Sequence, residues 1–100
     1  MSVARFSRRA EADLLAIGTH TVETWGINQA EHYLSELEVC CQQLADGPSL
    51  GRSCDEISEG LQRFEHGRHV IFYRQESGGI LISRILHQRM LPERHSLVDE

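Results

Sequence analysis

The chain has 100 residues, 40% of them hydrophobic and 25% charged, with eight Gly and two Pro. That composition describes one globular domain, residues 1–100, and excludes a disordered or fibrous chain. The formal charge of −5 argues against broad binding of polyanions, though a local basic patch remains open, and all ten basic residues are Arg, the side chain suited to planar, bidentate recognition.

Residues 2–6 alternate in character and read as a short strand. Ser7 then suits a helix N-cap, with Glu11 and Asp13 early in the helix where carboxylates favour the dipole. The first helix spans Arg8 to Trp25. Ala10, Leu14, Ile17, Thr21 and Trp25 recur at helical spacing, and Leu15 with Val22 makes a flanking stripe. Gly26 ends it. The second helix follows at once, with Asn28 as its cap, and Ile27, Ala30, Leu34, Leu37, Cys41 and Leu44 form the clearest periodic stripe in the chain. So short a joint makes the two helices an antiparallel hairpin.

Asp46-Gly47-Pro48 stops the second helix, and residues 46–60 form a long loop in which Asp55-Glu56-Ile57 adds a helical turn. Strands follow over Leu61–Glu65, Arg68–Gln75 and Ile80–Leu86, separated by turns at His66-Gly67 and Ser77-Gly78-Gly79. Residues 88–100 are a polar tail containing Pro92. The expected class is α+β, in the order β-α-α-β-β-β, with the hairpin on one face of a small, mostly antiparallel sheet.

Two-residue turns place Leu61, Arg63, Glu65, Arg68, Val70, Phe72, Arg74, Leu81, Ser83, Ile85 and His87 on one sheet face. Gln62, Phe64, His69, Ile71, Tyr73, Ile80, Ile82, Arg84 and Leu86 fall on the other, and a one-residue change in either turn would reverse part of this. The second, more apolar face belongs under the helices. Arg84 is awkward there and needs a carboxylate, from Asp13 or Glu11. The first face, both apolar and cationic, suits an amphipathic acidic peptide, so Val70→Asp or Phe72→Asp should weaken such binding without unfolding the domain.

The six His residues form no H-x-x-x-H or H-E-x-x-H pattern, and Cys40, Cys41 and Cys54 lack zinc spacing, so no metal and no cofactor is expected. The cysteines read as packed, reduced thiols of a cytoplasmic protein. No apolar run is long enough for a membrane span, and the N-terminus lacks a signal-peptide core. One chemical constellation stands out: Arg63, Arg68 and His87, with Glu65 nearby, could act as phosphate stabilisers and acid or base in RNA cleavage.

Several segments resemble the ParE branch of the RelE/ParE toxin superfamily. These are Ser7-Arg8-Arg9-Ala10-Glu11-Ala12-Asp13-Leu14, Trp25-Gly26-Ile27-Asn28-Gln29-Ala30 with Tyr33-Leu34, and Gly47-Pro48-Ser49-Leu50-Gly51-Arg52. Gly67-Arg68-His69-Val70-Ile71-Phe72-Tyr73-Arg74 is the most specific, and Arg84-Ile85-Leu86-His87-Gln88-Arg89 closes the match. The resemblance covers nearly the whole chain.

It implies the RelE/ParE-like fold and the toxin of a type II toxin–antitoxin system. Such a toxin inhibits DNA gyrase by binding, has no catalytic residues, is neutralised by a ParD-like antitoxin, and meets operator DNA only through that antitoxin. The sister branch cleaves mRNA on the ribosome with basic and His/Tyr residues near the sheet and C-terminus. Here the tail has no Tyr and only His87 is comparable, which favours gyrase. Together with the face assignment, the resemblance places the antitoxin on Leu15, Val22, Tyr33, Arg63, Arg68, Val70, Phe72, Arg74, Leu81 and Ile85. It leaves Arg89, Met90, Pro92 and Arg94 of the tail to contact the target.

Overall fold

A computed structural model describes residues 2–90. The first strand, β1 (Val3–Phe6), gives way to helix α1 (Arg8–Trp25) at Ser7. Ser7 Oγ accepts the Ala10 N–H at 3.0 Å and donates to the Ser83 carbonyl at 2.8 Å, so one hydroxyl both caps the helix and ties it to the sheet. Gly26, at φ 95°, ends α1 with its N–H on the Val22 carbonyl. Helix α2 (Ile27–Asp46) begins at the next residue, with Gly26 itself in the cap position and no side-chain cap bond. The expected cap, Asn28, therefore lies inside the first turn: a one-residue joint leaves no room for a separate capping residue.

The helices pack closely, and a Cβ on Gly18 would sit 3.2 Å from Leu34 Cδ1. A 3₁₀ turn at Pro48–Leu50 and the two-residue strand β2 (Arg52–Ser53) follow. At Asp55–Ile57 the chain turns back on the Cys54 carbonyl without forming a helix. Strands β3 (Leu61–His66), β4 (His69–Glu76) and β5 (Gly79–His87) complete the sheet, and Gln88–Met90 forms a last 3₁₀ turn.

The sheet order is β1-β5-β4-β3-β2. β1 runs parallel to β5, and the other pairings are antiparallel. The β3–β4 turn is Gly67-Arg68, so Glu65 pairs with Val70 and Arg63 with Phe72. That register differs by two residues from the expected one, and a shift of two preserves every face.

Strand β5 does not keep its expected faces throughout. Tyr73 pairs with Ile82 but Phe72 pairs with Arg84, so Ser83 is an extra residue in β5. Such a bulge reverses the alternation beyond it. Ile80 and Ile82 face the helices as expected. Past the bulge, Ile85 joins them in the core under the helices, with Ile71, Tyr73, Ile17, Leu37 and Leu44. Leu86 instead joins Val70, Phe72, Leu61 and Cys54 in a second buried cluster. The Ser83 carbonyl at the bulge is the one that receives the Ser7 hydroxyl.

Candidate functional site

The helix stripes divide into buried and exposed sets. Ala10, Ile17 and Thr21 of α1 are buried, while Leu15 (74% exposed), Val22 and Trp25 (65%) stand in solvent. Leu15 and Val22 are two helical turns apart and share one face. Trp25 and Ile27, expected on the core stripes, flank the Gly26 joint and are exposed.

A two-lobed cleft opens beside this joint. The first lobe, about 370 Å³, lies between His20, Thr21 and Trp25 of α1, Gln29 and Tyr33 of α2, the Gly67-Arg68-His69 turn, and His87 at the end of β5. The second, about 460 Å³, shares His20, Thr21, His69 and His87 with the first and extends to Asp13, Leu86 and Arg89. Register explains why these residues meet: His69 opens β4, His87 closes β5, and the two are paired. Their rings lie edge to face with centroids 5.4 Å apart.

Tyr33 Oη and His69 Nδ1 form a 2.6 Å hydrogen bond. The Tyr33 ring also sits 2.9 Å, at its hydroxyl, from where a Gly67 Cβ would lie, and Gly67 adopts φ 59°. Glycine is therefore required on two counts, a left-handed turn and a close aromatic neighbour. Burial holds the His69 imidazole at a pKa of about 4, reinforced by His87, His66 and His20. His69 is thus neutral near pH 7. Burial likewise raises the Tyr33 phenol. Among the described residues lining either lobe, Asp13 is the one carboxylate, and it is engaged by Arg84 and the Ile85 N–H.

The residues expected to bind the antitoxin are distributed unevenly. Leu15, Val22 and Arg68 are exposed, and Tyr33 is half-buried in the cleft. Val70, Phe72 and Ile85 are 2% exposed or less, which corrects their expected place on an open surface. Val70 and Phe72 close the second apolar cluster, and Ile85 was carried into the helix-side core by the bulge. Arg63 lies over the Phe72 ring at 5.7 Å and bonds Glu65, which also takes Arg52. Arg74 holds the loop before β3 through Ser58 Oγ and the Glu59 carbonyl. Leu81 is half-buried.

The constellation of Arg63, Arg68 and His87 is not assembled on one face. Arg68 and His87 line the first lobe, but Arg63 pairs with Phe72 on the opposite side of the sheet, and the bulge moved His87 away from it. Of the expected target contacts, Arg89 is exposed in the last turn and Met90 ends that turn. Pro92 and Arg94 lie outside the described residues. Sequence reasoning missed His69 and Trp25 as cleft residues. The His69–His87 pairing depends on the extra residue at Ser83, without which the turn would pair His69 with Leu86, and Trp25 was hidden by its match to the core spacing.

Comparison with known proteins covers nearly the same span. The sequence model of the family described as "ParE toxin of type II toxin-antitoxin system, parDE" matches residues 4–92. Toxin ParE1 of Mycobacterium tuberculosis (strain ATCC 25618 / H37Rv) is 41% identical over 90 residues, covering 89% of this chain and 92% of that protein. Toxin ParE1 of Caulobacter vibrioides is 38% identical over 95 residues, covering 95% of this chain and 98% of that one. A solved chain described as "Chromosomal ParDE TA system from P. aeruginosa" superposes with a TM-score of 0.73 at 24% identity, over 87% of this chain and 96% of that one. The fold is therefore the α+β RelE/ParE fold.

Proposed function

This chain belongs to the ParE toxin family of type II toxin–antitoxin systems, and on that premise we propose that it acts by gripping another protein and breaks no covalent bond. The proposed target is DNA gyrase, and the proposed neutralising partner is a ParD-like antitoxin, in keeping with the ParDE origin of the structural neighbour. Operator DNA would be reached only through the antitoxin, and the site of action would be the cytoplasm. Among the described residues, no helix is long and apolar enough to cross a membrane.

The observation that carries the reading is the apolar ridge on the hairpin. Leu15, Val22 and Trp25 are exposed on a helix that buries Ala10, Ile17 and Thr21. An amphipathic segment that orders on binding can bury them and place acidic groups near Arg68. Val70, Phe72 and Ile85 are no longer assigned to this surface. Arg63, Arg74 and Leu81 border other parts of the sheet and would contribute only if the antitoxin wraps around it. The target contact is assigned to Arg89, Met90, Pro92 and Arg94.

Calorimetry with a ParD-like antitoxin tests the surface. Leu15→Asp with Val22→Asp should weaken binding by at least about tenfold, since two apolar contacts are lost, while the circular dichroism of the free chain stays unchanged. Unaltered affinity in the folded double variant would remove the ridge from the interface.

A further inference from the structure

Arg68 and Arg89 differ from four other arginines of this chain. Arg5, Arg52, Arg63 and Arg84 each bond a carboxylate. Among the described residues, the guanidiniums of Arg68 and Arg89 have no carboxylate partner, and each lines one lobe of the cleft. The segments that carry them are tied by the Gln88 N–H, which donates to the Arg68 carbonyl at 2.8 Å. Between the lobes lie the paired rings of His69 and His87. An acidic protein has thus set beside two adjoining lobes a pair of arginines with no carboxylate partner among the described residues, and Asp13, the carboxylate that lines the second lobe, is already engaged.

A lone carboxylate would leave much of this donor set unused. Asp13 shows the limit, for its two oxygens are filled by one guanidinium and one backbone N–H. A phosphate monoester brings close to two charges and three acceptor oxygens. The lobes, about 370 and 460 Å³, are also larger than a bare phosphate needs and lie in the range of small-ligand sites. Trp25 at the mouth of the first lobe offers an exposed indole on which a flat ring can stack.

We propose that the cleft binds a phosphate monoester carrying a flat aromatic ring, the chemistry of a nucleoside monophosphate, with the phosphate held by Arg68 and Arg89 and the ring on Trp25. The net charge of −5 repels a long polyanion but not a single ester at a local basic site. This site shares Trp25 and Arg68 with the proposed antitoxin surface and Arg89 with the proposed target contact, and its test needs neither partner.

The test is a titration of the ¹⁵N-labelled full chain with the four nucleoside 5′-monophosphates, using inorganic phosphate and adenosine as separate probes. At least one monophosphate should shift the Gly67–His69 amides and the Trp25 indole N–H. Arg68→Ala and Arg89→Ala, both at exposed side chains, should each weaken binding roughly tenfold, the worth of one charge-assisted hydrogen bond. Trp25→Ala should weaken it by a similar factor. Absence of cleft shifts with all four esters would overturn the proposal. So would inorganic phosphate binding as tightly as the best ester, or affinity unchanged in both arginine variants.

Discussion

The carboxylate of Asp13 on α1 and the guanidinium of Arg84 on β5 meet through hydrogen bonds of 2.8 and 3.1 Å, and the same carboxylate accepts the Ile85 N–H at 2.9 Å. The pair joins the first helix to β5, the strand between β1 and β4, just beyond the bulge. Both side chains are mostly buried. Asp13→Ala removes all three bonds and leaves a guanidinium unpaired, so it should cost about 2–3 kcal/mol in urea unfolding. Arg84→Met should cost less, because the Ile85 N–H still satisfies Asp13. A clearly more stable Arg84→Met would show that the fold does not need this pair.

Tyr73 and Gly51 provide a second test. The Tyr73 hydroxyl donates to the Pro48 carbonyl at 2.6 Å and accepts the Gly51 N–H at 2.9 Å, pinning the loop after α2 to the sheet. A Cβ at Gly51 would collide with that hydroxyl and lie 2.7 Å from the Arg63 carbonyl. Gly51→Ala should therefore destabilise by about 1–3 kcal/mol through overpacking. Tyr73→Phe should cost about 1 kcal/mol, since the part-buried Gly51 N–H loses its acceptor while the Pro48 carbonyl keeps the Gln62 side chain. A Gly51→Ala melting curve matching the parent would mean that the loop yields without cost.

His69 predicts a pH dependence. Its folded pKa of about 4 lies below the ordinary 6.5, mainly through burial. The unfolded chain therefore takes up a proton first as pH falls, and stability declines from about pH 6.5 down to about pH 4. With partial solvent exposure allowed for, the decline should be roughly 1–2 kcal/mol. His69→Gln should shrink the difference between urea midpoints at pH 7 and pH 4.5. An undiminished difference would assign it to other groups.

The three cysteines of the chain should be inert while it is folded. Cys40, Cys41 and Cys54 are buried and free. Burial raises all three thiols, that of Cys41 to about 12. The thiolate is the reactive form, so alkylation at pH 8 should be slow in the native chain and fast in urea. Rapid native labelling would contradict their packing.

Much of the fold was legible in local chemistry. Ser7 signalled the cap through its hydroxyl, Gly26 the joint through its freedom at positive φ, and Ala30–Leu34–Leu37–Cys41–Leu44 the buried side of α2. Arg84 announced its need for a carboxylate, and Asp13 meets it. The bulge at Ser83 was not legible, because nothing in Ile82-Ser83-Arg84 marks an extra residue. At it the Ser83 carbonyl accepts the Ser7 hydroxyl, a tertiary contact that local patterning does not specify. That one residue exchanged Ile85 for Leu86 between faces and separated Arg63 from His87. The second cluster was missed for a similar reason: Cys54 comes from a loop whose path local patterning does not specify.

The corrected faces alter one mutational expectation. Phe72→Asp and Val70→Asp place a charge in a buried cluster and should unfold the domain, costing at least about 3 kcal/mol. Leu15→Asp, by contrast, should leave the melting temperature within about 2 °C, as expected for an exposed site. A folded, cooperative Phe72→Asp variant would mean that this face opens readily.

The most direct measurement is a gyrase supercoiling and DNA-cleavage assay with the purified chain, run with and without its ParD-like antitoxin. Inhibited supercoiling that the antitoxin relieves is the expected result. Undisturbed DNA topology, with ribosome-bound mRNA cut by the parent chain but not by His87→Ala, would contradict a toxin that works by binding alone.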